Sequence, residues 1–314
     1  MSILNRPYFY DEAKAFEHVE ATLWPQGPVC HHCGSMEKPY KLAGVRSKAS
    51  KKNPEGVERH GLYKCKDCRG QFTVRMGTVF EESHIPLHKW LQAIHLMCSS
   101  KKGISAHQMH RILQITYKSA WFLCHRIREA MRTESPAQLG GLGKIVEADE
   151  TFVGMKIGFK RSRGAVHKMK VLSLVERGGH IRSQRLAMLS RVGIEQAIRE
   201  NVHPESRIMT DTAAYYRKPL LGFAGHEKVN HEQDEYVRGE AYTNTLEGYF
   251  SLFKRGMRGV YQHCREKHLH RYLTEFDFRY NNRVALGVND ESRAINALSG
   301  ASGKRLTYRG TDRI

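Results

Sequence analysis

Three acidic residues stand where a folded chain could use them to hold divalent metal ions. Asp149 lies in the stretch Val146-Glu147-Ala148-Asp149-Glu150, which reads as a strand, and Asp211 directly follows the apolar pair Ile208-Met209 at the end of another. A sheet presents acids to a cleft from such places. Residues 212–246 separate Asp211 from Glu247, whose helix places Leu246, Phe250, Phe253 and Met257 on one face and Ser251, Lys254 and Arg258 on the acid's own. Carboxylates so gathered suit two metal ions about 3.5 to 4 Å apart, an arrangement that activates an attacking oxygen and stabilises a leaving one in phosphodiester transfer. Such acids repel one another, and their pKa values rise when no metal neutralises them. Lys254, two turns beyond Glu247, is placed to grip a phosphate, and Arg255 and Arg258 extend the cationic stretch. Glu147, Glu150 and Asp277 read as ordinary surface acids or ion-pair partners.

A second set of residues is built for a different metal. Cys30-His31-His32-Cys33 and Cys65-Lys66-Asp67-Cys68 form two CxxC knuckles, and paired knuckles of this spacing close a tetrahedral zinc site. Four thiolates leave no open coordination position, so the role is structural or faces a nucleic acid. His31 and His32 are surplus to that set. Of the 7 cysteines, Cys98, Cys124 and Cys264 remain. Their apolar or helical surroundings read as those of small buried hydrophobes.

The charge balance points to a polyanionic partner, the alternative being a solvated basic surface with none. Lysine and arginine number 51 against 32 acidic residues, a formal net charge of +19 that exceeds what solubility needs. Basic residues recur among aromatics, the pattern of a surface for a polyanion, and double-stranded DNA fits both this charge and the phosphodiester chemistry. The opening MSILNRPYFYDEAKAF has no apolar signal core, and no run of about 18 apolar residues occurs. A membrane partner is excluded, and a cytoplasmic, nucleoid-associated protein is expected.

The elements that must position these groups follow from periodicity. Residues 1–24 carry an amphipathic helix pattern (Ala15, Phe16, Val19, Leu23) ended by Trp24-Pro25, and the cysteine knuckles of 25–80 flank a basic loop, giving a first module over 1–84. Helical spacing over 86–131 predicts three helices. Ser105 opens a capping box with Gln108, and Thr116 starts a further helix after a short break, so 85–133 reads as a helix-turn-helix-like DNA-binding domain, with a plain helical spacer as the alternative. The Pro- and Gly-containing stretch 134–144 is a linker. Strands are expected at 144–154, 170–176, 181–189, 207–210 and about 227–231, with Gly178-Gly179 turning a hairpin, and helices at 193–201, 244–257 and 267–280. This α/β order over 142–284 is compatible with an RNase H-like catalytic domain. The tail 285–314 reads as polar, basic and weakly structured.

At these residues the chain resembles insertion-sequence transposases of the DDE type, specifically the zinc-ribbon family numbered fifteen ninety-five. The resemblance runs through CKDCRGQFTVRMGTVFE (65–81), VEADETFVG (146–154), TNTLEGYFSLFKRGMRGVYQH (243–263) and EKHLHRYLTEFDFRYNNR (266–283), the last two segments being the most specific. It implies an RNase H-like core, catalytic magnesium or manganese, the terminal inverted repeats of the protein's own element as substrate, and a dimer or larger assembly on DNA. Asp149 and Asp211 match the family's first two acids. The third position is described in that family with glutamate, asparagine or histidine. The spacing from Asp211 and the following Lys254 favour Glu247, while Asn244, one turn earlier, is a further ligand or itself the third residue. Two rival readings share many features: a zinc-ribbon regulator with an inactive α/β domain, and a metal-dependent nuclease that cuts without joining.

Overall fold

The computed structural model describes residues 3–51, 53–156, 158–160, 164–216, 220–229 and 242–307. Among them, no helix is long and apolar enough to cross a membrane. The chain divides into two compact units, one made of Met1–Ser100, Ser105–Met131 and Asn289–Ile314, the other of Lys101–Ile104 and Arg132–Val288.

In the first unit, Asp11 caps helix α1 (Glu12–Leu23) by accepting from the Lys14 N–H at 3.0 Å, and Ala15, Phe16 and Val19 are buried along one stripe. Strands β1 (Pro39–Lys41), β2 (Tyr63–Cys65) and β3 (Gln71–Phe72) follow as a small antiparallel sheet. Helices α2 (Leu87–Ser99), α3 (Ala106–Leu113) and α4 (Tyr117–Ala130) occupy the stretch whose periodicity predicts three. Ser105 and Thr116 accept from the N–H groups of Gln108 and Ser119, so each hydroxyl satisfies a donor that the first helical turn leaves unpaired. Gln114 stops α3 in the left-handed region, with φ 51°.

The tail departs from expectation. Residues Asp290–Ser299 form a helix capped by Asn289, and Arg293, Ala297 and Leu298 are buried. Arg293 donates to the Cys98 carbonyl at 2.8 Å, and beyond the helix Lys304 donates to the Ala130 carbonyl at 3.1 Å. Local signals for it are present in the Asn289 cap, the acidic first turn of Asp290 and Glu291, and Gly300 at its end. Long-range bonds to α2 and the end of α4 add to that local pattern. Residues 308–314 lie outside the described part of the chain.

The second unit is built on a 5-stranded sheet in the order β6-β5-β4-β7-β8. Strands β4 (Ile145–Val153), β5 (Met169–Glu176) and β6 (Ile181–Leu186) run antiparallel, and Gly178 takes φ 71° in the turn between the last two. Helix α5 (Arg191–Asn201) leads to β7 (Arg207–Asp211), which lies parallel to β4, and β8 (Gly225–Val229) lies parallel to β7. Of the extended stretch expected at 227–231, Glu227 to Val229 fall in β8, and Asn230 and His231 lie outside the described residues. Helix α6 (Asn244–Gly256) continues into a π-helical turn, Met257–Tyr261, and α7 (Leu269–Asn281) follows a short 3-10 turn.

Both faces of the sheet are covered, which explains the nearly continuous apolar run of β5. Met169, Val171 and Val175 pack against Leu246, Phe250 and Phe253 of α6 and Leu273 and Phe276 of α7. Leu172 and Leu174 face Ile194 and Ile198 of α5. Phe253, wholly buried and edge-on to Phe276 at 5.1 Å, contributes on the order of 1.5–3 kcal/mol of burial to fixing α6 on the sheet.

Candidate active site and four-thiol cluster

Strand register brings the two aspartates together. Glu147 pairs with Met209 in the parallel β4–β7 ladder, and two residues further along are Asp149 and Asp211, at the carboxyl end of β7. Asp211 Oδ1 accepts from the Ala213 N–H at 3.0 Å, a local turn that ends the strand. Carboxylate oxygens of Asp149, Glu150 and Asp211 all lie within 4.8 Å of one another.

Glu150 is therefore no ordinary surface acid. Alternation along β4 would send it to the opposite face from Asp149, but β4 runs on to Val153 while its pairing with β7 ends at Glu147. That flank of β4 is open at the acids, and side chains from both faces reach Asp211. Tyr216 donates to Glu150 Oε2 at 3.2 Å and holds it there. Burial first, then the charges of Glu150 and Asp211, push Asp149 up to about 8. Burial first, then Asp211, push Glu150 up to about 7. Raised pKa values are what gathered carboxylates show with no cation among them, and a divalent ion would bind them as carboxylates and release their protons.

Helix α6 presents the remaining candidates. Asn244 and Glu247 are exposed in its first turn, and Glu247 lies outside the 4.8 Å group, though its charge helps to raise Asp149. Ser251 and Arg258 are exposed along the same helix, and Lys254 is half-buried with Nζ 5.9 Å from the Phe250 ring. Arg255 turns back along the helix, donating to Ser251 Oγ at 2.7 Å.

The start of α6 is fixed by an acid from β4. Glu147 is wholly buried and accepts from Arg177 Nε at 2.7 Å, Thr245 Oγ1 at 2.8 Å and the Leu246 N–H at 3.2 Å. Thr243, the helix's own cap residue, makes no side-chain cap bond. Glu147 thus replaces a local cap, and an anion at a helix N-terminus gains from the helix dipole as well. Arg177 also lies over the Tyr242 ring at 3.4 Å and donates to its carbonyl at 2.8 Å. The ion-pair reading of Glu147 holds. Removing one partner strands a buried charge, so Glu147→Ala should cost about 3–5 kcal/mol of stability. Adding Arg177→Met to it should cost little more, and strictly additive losses in a thermal double-mutant cycle would disprove the coupling.

Asp277 is not a surface acid either. It accepts from the Ser183 N–H at 2.6 Å, Ser183 Oγ at 2.8 Å and the Tyr249 hydroxyl at 2.6 Å, tying α7 to β6 and α6. Burial foremost pushes it up to about 6, with those hydrogen bonds pulling the other way.

In the first unit, the thiols of Cys30, Cys33, Cys65 and Cys68 form one cluster. Sulfur separations of 3.6 Å for Cys30–Cys68 and 3.7 Å for Cys33–Cys65 fit a tetrahedron with zinc–sulfur bonds of about 2.3 Å. The Cys68 N–H foremost, joined by that of Asp67 and opposed by burial, lowers Cys65 to about 7 and so favours the thiolate. His32 bonds the Gln71 carbonyl at 3.1 Å and, like His31, stands outside the cluster. Cys98 and Cys124 are buried, while Cys264 is only partly so.

The chain thus combines a mixed α/β unit, with carboxylates from β4 and the end of β7 gathered together, and a four-thiol ribbon. Residues 138–281 match the ISXO2-like transposase domain, and residues 10–71 match the transposase zinc-ribbon domain. The two matches span about two thirds of the chain, and the chain belongs to this family of insertion-sequence transposases. A protein of Halobacterium salinarum named "Uncharacterized protein in transposable element ISH50" is 28% identical over 303 residues, covering 86% of this chain and 91% of its own length.

Proposed function

We propose that the protein binds the inverted-repeat ends of its insertion sequence and catalyses metal-dependent DNA cleavage and strand transfer. The observation that carries this is the approach of Asp149 and Asp211 on neighbouring parallel strands, with Glu150 beside them. An RNase H-like architecture is supported by the order β6-β5-β4-β7-β8, with three antiparallel strands, two parallel ones and helices on both faces.

Asp149 and Asp211 would hold magnesium or manganese, with Glu247 or Asn244 from α6 and Glu150 from β4 completing the set. Bound metal would supply an activated attacking oxygen and stabilise the leaving one. The residues' own part is to orient: Tyr216 holds Glu150, and Glu147 holds the first turn of α6 facing the acids. Lys254, Arg255 and Arg258 follow on that helix as phosphate contacts. The four cysteines would hold structural zinc, and α3 and α4 would read sequence. Two ends brought together call for at least two copies of the chain, acting at the bacterial nucleoid.

Incubation with a duplex carrying the element's inverted repeats and a target plasmid tests this reading. Joined products are expected, whereas cut ends without joining favour a simple nuclease, and binding without cutting favours a regulator. Among the ligand candidates, Glu247→Gln should be as damaging as Asp149→Asn or Asp211→Asn, and Asn244→Ala less so. Their reversal would make Asn244 the third residue. Glu150→Gln should slow cutting by roughly 10- to 100-fold and raise the manganese concentration needed for half-maximal rate. An unchanged metal requirement would make Glu150 a bystander.

A further inference from the structure

We infer that a basic cavity between the end of β6 and the start of α7 seats the phosphate backbone of the DNA strand that passes the acid cluster. The cavity has a volume of about 500 Å³ and is lined by Arg185, Arg265, Glu266, Lys267 and His270. Among the described residues every lining side chain ends in a charged or titratable group, so a ligand there would be held by its charge. Glu266 pairs with Arg185 at 2.7 Å and offsets one of three permanent cations, leaving the lining net positive. The field is felt nearby: burial first, then the charges of Arg271, Lys267, His270 and Arg265, lower the pKa of His268. The N-terminus of the 13-residue helix α7, whose cap residue makes no side-chain cap bond, adds its dipole to the same place.

Strand register puts this cavity on the acids' side of the sheet. Thr151 pairs with Val171, and Val171 with Arg185, so the three form one row whose side chains share a face. Asp149 lies on that face, two residues before Thr151. With strands about 4.8 Å apart and a rise of about 3.3 Å per residue, Arg185 stands roughly 12 Å from Asp149 along the sheet. DNA lying across the acids would carry further phosphates over that distance. Contacts of this kind set register and orientation without reading bases, and they hold a scissile bond still while metal ions act on it. The inference rests on the reading that DNA is the substrate, and it adds where the backbone is held.

The test is the salt dependence of binding by the full-length protein to a duplex bearing an element end. Arg265 and Lys267 are exposed, so their replacement leaves the core alone. In the Arg265→Ala/Lys267→Ala double variant, the slope of log affinity against log salt should become shallower by about 2, near 0.9 for each phosphate no longer neutralised. The control is Arg191→Ala/Arg199→Ala on α5, which covers the other face of the sheet and should keep the wild-type slope. A wild-type slope in the cavity variant overturns the inference, as does an equal change in the control, which would report net charge alone. Cleavage is scored separately. If wild type cuts and the cavity variant keeps its slope, only the cavity inference fails. If the slope drops but wild type never cuts, the cavity stands and the enzymatic reading fails.

Discussion

Asp149→Asn and Asp211→Asn should each bind element ends and retain zinc, yet cut DNA at least about 100-fold more slowly, beyond the loss usual for residues that merely support a metal ligand. The geometry is the reason. Their carboxylates converge within 4.8 Å, and an amide there keeps the size of the acid but lacks the charge a divalent ion needs. Single-turnover cleavage in manganese, set beside binding on the same duplex, checks it. Cutting retained by both variants would sink the proposed mechanism.

The same substitution carries a second readout of opposite sign. Asp149 titrates in the folded chain near 8, against 3.8 unperturbed, because burial and then neighbouring acids oppose its charge. The folded state therefore holds that proton more tightly than the unfolded state, and without metal the wild-type protein should lose stability as pH climbs from about 4 to about 8. An amide in place of the Asp149 carboxyl has no charge to bury in that window. With the ribbon's zinc kept and no magnesium or manganese added, Asp149→Asn should then melt above wild type at pH 8 and show little advantage at pH 4. An advantage that does not grow with pH would show that the acids do not strain the site.

Removing zinc should unfold the ribbon, at a cost on the order of 10 kcal/mol. Its apolar core is small: Tyr63 and Phe72 stack at 5.8 Å, Trp24 meets both edge-on, Met76 lies alongside, and the remaining buried members are Cys30 and Cys65 themselves. The strands are only 3, 3 and 2 residues long. So little burial does not offset the entropy of ordering the loops between them. Elemental analysis should find one zinc per chain, and chelation should open 25–80 to protease before the α/β unit. Cys65→Ser should do the same without a chelator. A zinc-free protein with a protease-resistant ribbon would refute the assignment.

The features legible in the sequence are those written in local pattern. The CxxC knuckles, the caps at Ser105 and Thr116, the alternating and continuous apolar runs of β4 and β5, and the apolar stripe of α6 each depend on residues a few positions apart. Asp211 stands out because it closes an apolar strand, where a side chain can reach a cleft, and Asp149 because it sits as an acid inside a strand with an apolar start. Other features depend on partners far along the chain. Glu150 joins the cluster because β7 ends where β4 continues, and no spacing within 146–154 announces where a strand more than fifty residues away will stop. Glu147 looks like any acid in a strand until β4 meets α6, where it becomes a buried cap for Leu246. Asp277 needs Ser183 and Tyr249, and the tail is docked through bonds from Arg293 to Cys98 and from Lys304 to Ala130. Periodicity and chemistry are encoded within one turn or one strand, whereas the meaning of a buried charge is set by what desolvates it and what bonds it, and both are decided only when distant segments pack.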